Sequence, residues 1–118
     1  MKLVINRLNW TRGKGCYKTA QELQFTNKFD ILMFLAYKLG YTKKDFEKLM
    51  TIFTPLHLSV YSEKNLWPKE LVHNNMNTRL CNQIININDS DKINNIKREI
   101  LLKEKFQKLN IDIEFINE

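Results

Sequence analysis

Between Asn27 and Phe53 the apolar residues return at helical spacing on both sides of one glycine, and this pattern constrains the fold more than any other. Phe29, Leu32, Met33, Ala36 and Leu39 make one stripe, so the spacing predicts a helix over 28–39 with Asn27 as its cap. Gly40 follows as the left-handed residue at which helices commonly stop. Thr42, with Asp45 three residues on, opens a second helix over about 43–53, whose inward face is Phe46, Leu49, Met50 and Phe53. Pro55 ends it by biasing Thr54 away from helical geometry.

The flanking segments read less evenly. Residues 2–10 are rich in Leu, Val, Ile and Trp and read as a strand. Residues 11–18 hold Gly13 and Gly15 among cations and read as a loop, since two glycines weaken any helix or strand. From Thr19 to Phe25 a capping pattern, Thr19 with Glu22, competes with a strand face of Tyr17, Thr19, Leu23 and Phe25. Leu56, Leu58 and Val60 alternate with His57, Ser59 and Tyr61 as a short strand would. Pro68 suits the first turn of a helix with Leu71 and Val72 inward. Residues 74–88 are crowded with Asn, and a broken helix and a short strand at Ile84–Ile87 both fit. Ser90 is the expected cap of a long helix over 91–109, with Ile93, Ile96, Ile100, Leu102, Phe106 and Leu109 as its buried stripe and Asn110 at its end. The chain finishes on the cleanest alternation it has: Ile111, Ile113 and Phe115 against Asp112 and Glu114. Pairing of this strand with the N-terminal one is expected, because termini of small domains often lie together.

These elements predict an α+β fold, a small sheet of the terminal strands packed against three to four helices, in a single domain over 1–118. The longest apolar run, Ile31 to Tyr37, is far short of the ~20 residues of a spanning helix. Residues 1–7 lack the apolar stretch of a signal peptide, so a cytoplasmic protein with Cys16 and Cys81 as free thiols is expected.

Charge is unevenly spread. The net charge of +6 lies wholly in residues 1–60, which hold ten Lys/Arg and four Asp/Glu, whereas residues 61–118 hold nine of each. The first twenty residues carry Lys2, Arg7, Arg12, Lys14 and Lys18 and no acid, which points to one basic face. The abundance of Asn, Ile and Lys fits an A+T-rich genome, such as that of a low-GC bacterium or its phage or mobile elements.

Two segments are candidates for nucleic-acid contact. Residues 32–49, with Ala36, Gly40, Thr42, Phe46 and Leu49, resemble the helix-turn-helix family of DNA-binding motifs. The resemblance implies that Ala36 permits close approach of the second helix, Gly40 makes the turn, Thr42 caps, and Phe46 and Leu49 dock the helix. It then implies that Lys43, Lys44, Glu47 and Lys48 face outward, with the lysines on phosphates or guanine edges. Asp45 and Glu47 would be repelled by phosphates if they faced the groove. An ordinary αα-hairpin has the same glycine stop and threonine start, so both readings stay open. The second segment is Arg7–Lys18, where Arg7, Arg12, Lys14 and Lys18 interleave with Trp10 and Tyr17. Such a segment suits phosphates and stacked bases, although a solvated basic loop with Trp10 in the core is the simpler account of it. Gly13-Lys14-Gly15 lacks the spacing of a phosphate-binding loop.

Signals for catalysis are thin. His57 and His73 have no metal-ligand partner three or four residues on, and there is no Cys-x-x-Cys. His73 with Cys81 lacks an orienting third group, and Asp112 and Glu114 read as the solvent side of a strand. The expectation is therefore a small non-enzymatic nucleic-acid-binding accessory protein, with no cofactor, metal, membrane or small-molecule substrate. Its partner would be nucleic acid or a host nucleoprotein complex, and a homodimer stays open. The alternative is a protein-binding inhibitor of a host defence machine, of the anti-CRISPR or anti-restriction type.

Overall fold

The computed structural model describes residues 1–13, 29–47, 66–71 and 78–118. Two strands, β1 (Lys2–Asn6) and β2 (Asp112–Ile116), pair in parallel with Leu3 opposite Ile113 and Ile5 opposite Phe115. The period of two sends Leu3, Ile5 and Ile113 into the core, while Lys2, Val4, Asp112 and Glu114 face out. Lys2 and Glu114 meet there at 2.8 Å, an exposed pair of small energetic value. The terminal strands therefore do pair, and the fold is the expected small α+β arrangement.

The first strand is shorter than 2–10. It ends at Asn6, whose side chain accepts from Leu8 N and bends the chain into a 3-10 turn over Arg7–Asn9. Trp10 then bridges to Phe29, with Thr11 N donating to Phe29 O at 2.8 Å and Phe29 N to Asn9 O at 2.7 Å. This short pairing delivers the chain into α1 (Ile31–Leu39). The cap of α1 is Asp30, accepting from Met33 N at 2.9 Å, and not Asn27, because Phe29 is itself engaged in the bridge to Trp10 and lies outside the helix. Ile31, Leu32, Met33, Leu35 and Ala36 are all buried, so α1 is a core helix rather than a surface one.

Gly40 ends α1 at φ +109°, donating to the Ala36 and Tyr37 carbonyls, as the apolar stripe predicts. Next comes α2 (Lys43–Glu47); the expected continuation to 53 lies outside the described residues. Buried Tyr41 ties this corner down: its hydroxyl accepts from Leu66 N at 2.8 Å and its ring lies 5.8 Å from that of Trp67. Pro68 leads into a 3-10 turn, Lys69–Leu71, with Leu71 buried. The expected strand over 56–61, the ambiguous 19–25 segment and Val72 also lie outside the described residues.

From Thr78 onward the Asn-rich segment is helical. In α3 (Thr78–Asp89) Cys81, Ile84 and Asn88 point inward at helical spacing and Asn82 and Asn86 point out, so burial of one face outweighs the poor helix propensity of Asn. The final helix, α4 (Asn95–Gln107), starts later than Ser90 predicts, with Asn94 as the cap accepting from Lys97 N at 2.8 Å. Its inward stripe is Arg98, Leu102 and Phe106. Ile96 and Ile100 are 76% and 54% exposed, contrary to the expected stripe, because at 100° per residue they lie about 120° and about 160° round the helix from Leu102. Asn110 adopts φ +57° after the helix and turns the chain into β2.

Candidate nucleic-acid interface

Five residues from opposite ends of the chain form a layered cluster at one side of the sheet. Trp10 sits at its centre, 5% exposed, stacked on Phe115 with centroids 5.0 Å apart. The Arg12 guanidinium lies 4.5 Å from the Trp10 ring. Arg7 and Lys103 approach Phe115 at 5.6 and 5.7 Å. Cations above aromatic faces gain from the ring quadrupole, so the two rings and three cations support one another.

Arg7 is bound within the fold. Its Nε and Nη2 donate to the two Glu99 oxygens at 2.8 and 2.7 Å, and Nη1 donates to Asn117 O at 2.9 Å. The bidentate pairing raises the Arg7 pKa and ties the turn after β1 to α4, while the bond to Asn117 ties it to the residue that follows β2. Trp10 is equally committed. Its indole Nε1 donates to Asn88 Oδ1 at 2.7 Å, and the ring belongs to the core, so a base stacking on it would have to displace Arg12. Asn88 is 1% exposed and also donates to Thr11 O, while its carbonyl accepts from Gly13 N at 2.7 Å.

Arg12 is different. It is half-buried, its Nη1 is buried without a hydrogen-bond partner, and burial lowers its pKa, with Arg7 and Arg98 adding to the fall and Glu99 opposing it. Lys14, Tyr17 and Lys18 of the same segment lie outside the described residues.

The other candidate region begins at the α1–α2 turn. Lys43 and Lys44 are both exposed and begin α2; Lys48 lies outside the described residues. The neighbouring acid is turned away from them. Asp45 is buried, with Oδ2 accepting from Thr42 N at 2.6 Å and from Thr42 Oγ1 at 3.1 Å, so it closes the capping interaction. Lys38, in the last turn of α1, is exposed as well.

Glu99, Asn88, Arg98, Phe115 and Lys103 were not legible as parts of a site. Phe115 reads only as strand core and Arg98 as a surface charge in an apolar stripe, and no local signal pairs Arg7 with Glu99 across the chain. A second set of titratable groups lies inside: burial pushes the Asp30 carboxyl up to about 6, with Asp89 adding to the rise, and pushes the free Cys81 thiol up to about 12. Among the described residues there is no cluster of three or more His, Cys, Asp or Glu placed to hold a metal ion, and no helix is long and apolar enough to cross a membrane. Comparison of the chain with protein-family models, curated proteins and solved structures found no match.

Proposed function

We propose that this chain is a small non-enzymatic nucleic-acid-binding protein that grips phosphates with the lysines of the α1–α2 corner. The observation that carries this reading is the separation of charge there: Lys43 and Lys44 stand exposed while Asp45 is folded back onto Thr42. An acid that phosphates would repel is thereby withdrawn. Lysines in a first helical turn oppose the helix dipole, so they are poorly placed for stabilising α2 and better placed for meeting an external anion.

The test is fluorescence anisotropy with labelled duplex DNA, single-stranded DNA and RNA across a salt series. Submicromolar affinity with a steep salt slope is expected. The double variant K43Q/K44Q should bind several-fold more weakly and, on duplex DNA, lose about 2 from the log–log salt slope, since each phosphate contact contributes about 0.9. A wild-type protein that binds none of the three at low salt, or a double variant with an unchanged slope, would sink the reading.

The second reading, an inhibitor that docks on a host defence machine, is favoured by Ile96 and Ile100, two exposed isoleucines one turn apart on α4. In a pull-down from nuclease-treated host lysate, it predicts one stoichiometric protein that the double variant I96E/I100E no longer recovers. Recovery unaffected by those substitutions would remove α4 from the argument.

A further inference from the structure

Three guanidinium groups influence one another around Trp10, and they are unequally satisfied. Arg7 occupies both oxygens of Glu99. Arg98 donates to the Ile87, Asn88 and Ile93 carbonyls and to Asn95 Oδ1. Arg12 has no such acceptor at Nη1, which is buried, although its Cζ lies over the Trp10 ring, 4.5 Å from the centroid. The acid acting on Arg12 is Glu99, and Arg7 has already taken its two oxygens. Arg7 and Arg98 thus act against the Arg12 charge, and the one carboxylate that favours it is shared with Arg7. Burying a donor without an acceptor is unfavourable, and a guanidinium held in a fixed plane loses little freedom when it binds a forked oxyanion.

We propose that Arg12 is an oxyanion site that takes one phosphate group, with Trp10 as the platform that sets the plane of the guanidinium. A phosphate suits the place better than a carboxylate because its tetrahedral oxygens carry more charge beside Arg12 and the neighbouring Arg7 and Arg98. The inference deepens the nucleic-acid reading by naming one phosphate contact, and rests on that reading only for the source of the phosphate.

The experiment follows the Trp10 indole Nε1–H and Arg12 Nε–H resonances of the labelled full chain during titration with inorganic phosphate, against chloride at matched ionic strength. Saturable shifts of both signals with phosphate alone are expected. R12K, which keeps the charge but loses the fork, should weaken binding roughly tenfold. E99Q removes the opposing carboxylate and should tighten it, and R12K/E99Q should lose that gain, which separates Arg12 from the Arg7 that the substitution also releases. Absence of a saturable response, an equal response to chloride, or an E99Q variant no tighter than wild type would overturn the site; E99Q keeps the proposal testable should R12K fold poorly. Displacement of the phosphate by an oligonucleotide identifies a backbone phosphate as the natural ligand, and retention identifies a free phosphate. K43Q/K44Q should keep the inorganic-phosphate response, so loss of nucleic-acid binding in that variant leaves the Arg12 site standing.

Discussion

Replacing Arg98 with Met is expected to lower the stability of the protein by about 3–4 kcal/mol, the largest loss foreseen for any single side chain described here. Arg98 is 3% exposed and lies on the core-facing stripe of α4. Its Nη1 donates to Ile87 O at 2.6 Å and to Asn88 O at 3.1 Å, and Nη2 donates to Ile93 O at 3.1 Å. Those carbonyls belong to the last turn of α3 and the connection to α4, where backbone acceptors lose their intrahelical partners and a cation meets the negative end of the helix. Methionine fills much of the space but satisfies none of them. Lysine should recover part of the loss, since an ammonium brings charge without the fork that spans both segments. Denaturant unfolding with an unchanged m-value, or a melting temperature lower by roughly 10–20 °C, checks the prediction. A variant within about 0.5 kcal/mol of wild type would show that water replaces the guanidinium at no cost.

Replacing Asp30 with Asn should act in the opposite direction, and only above a certain pH. Asp30 caps α1 through Met33 N, a bond that an asparagine oxygen also accepts. Burial, with Asp89 adding to it, raises its pKa from 3.8 to about 6. A carboxyl whose folded value lies above its unfolded one binds protons on folding, so its ionised form is a cost to the fold. That cost is full above about pH 6, diminishes as the pH falls from 6 to 4, and is absent below the unfolded value. The rise corresponds to about 3 kcal/mol, and part of it returns as the buried amide needs a partner for its own N–H groups. D30N is therefore expected to be about 1–3 kcal/mol more stable than wild type near pH 7.5 and equal to it near pH 4. A difference that does not change between those pH values would mean that the Asp30 carboxyl titrates like an exposed one.

These two residues also show where local pattern stops being informative. Periodicity placed α1 well, because its core positions are all apolar and Gly40 marks its end without help from the rest of the chain. The alternation of Ile113 and Phe115 with Asp112 and Glu114 likewise carried β2, and Leu3 and Ile5 carried β1. In α4 the same reasoning found Leu102 and Phe106 but set the exposed isoleucines at 96 and 100 beside them in place of Arg98. The position that turns inward beside Leu102 and Phe106 is an arginine, and an arginine is polar until the carbonyls that receive it are known. The caps moved for a related reason: Asn27 and Ser90 are good local caps, but the Trp10–Phe29 bridge and the chain leaving α3 let Asp30 and Asn94 take those places.

Of the candidate interface, the cations themselves and the capping pair of Thr42 and Asp45 were readable in order along the chain. Their availability was not. Arg7 is consumed by Glu99, ninety-two positions away, and Trp10 by Asn88, seventy-eight positions away, and contacts at that separation leave no local pattern. By itself the sequence determined the period of each strong element and the sign and location of the excess charge, because these depend on side chains a few residues apart. Only the tertiary structure decided which charges are internal ties and which stay exposed, because desolvation and hydrogen bonding depend on what the rest of the chain brings alongside.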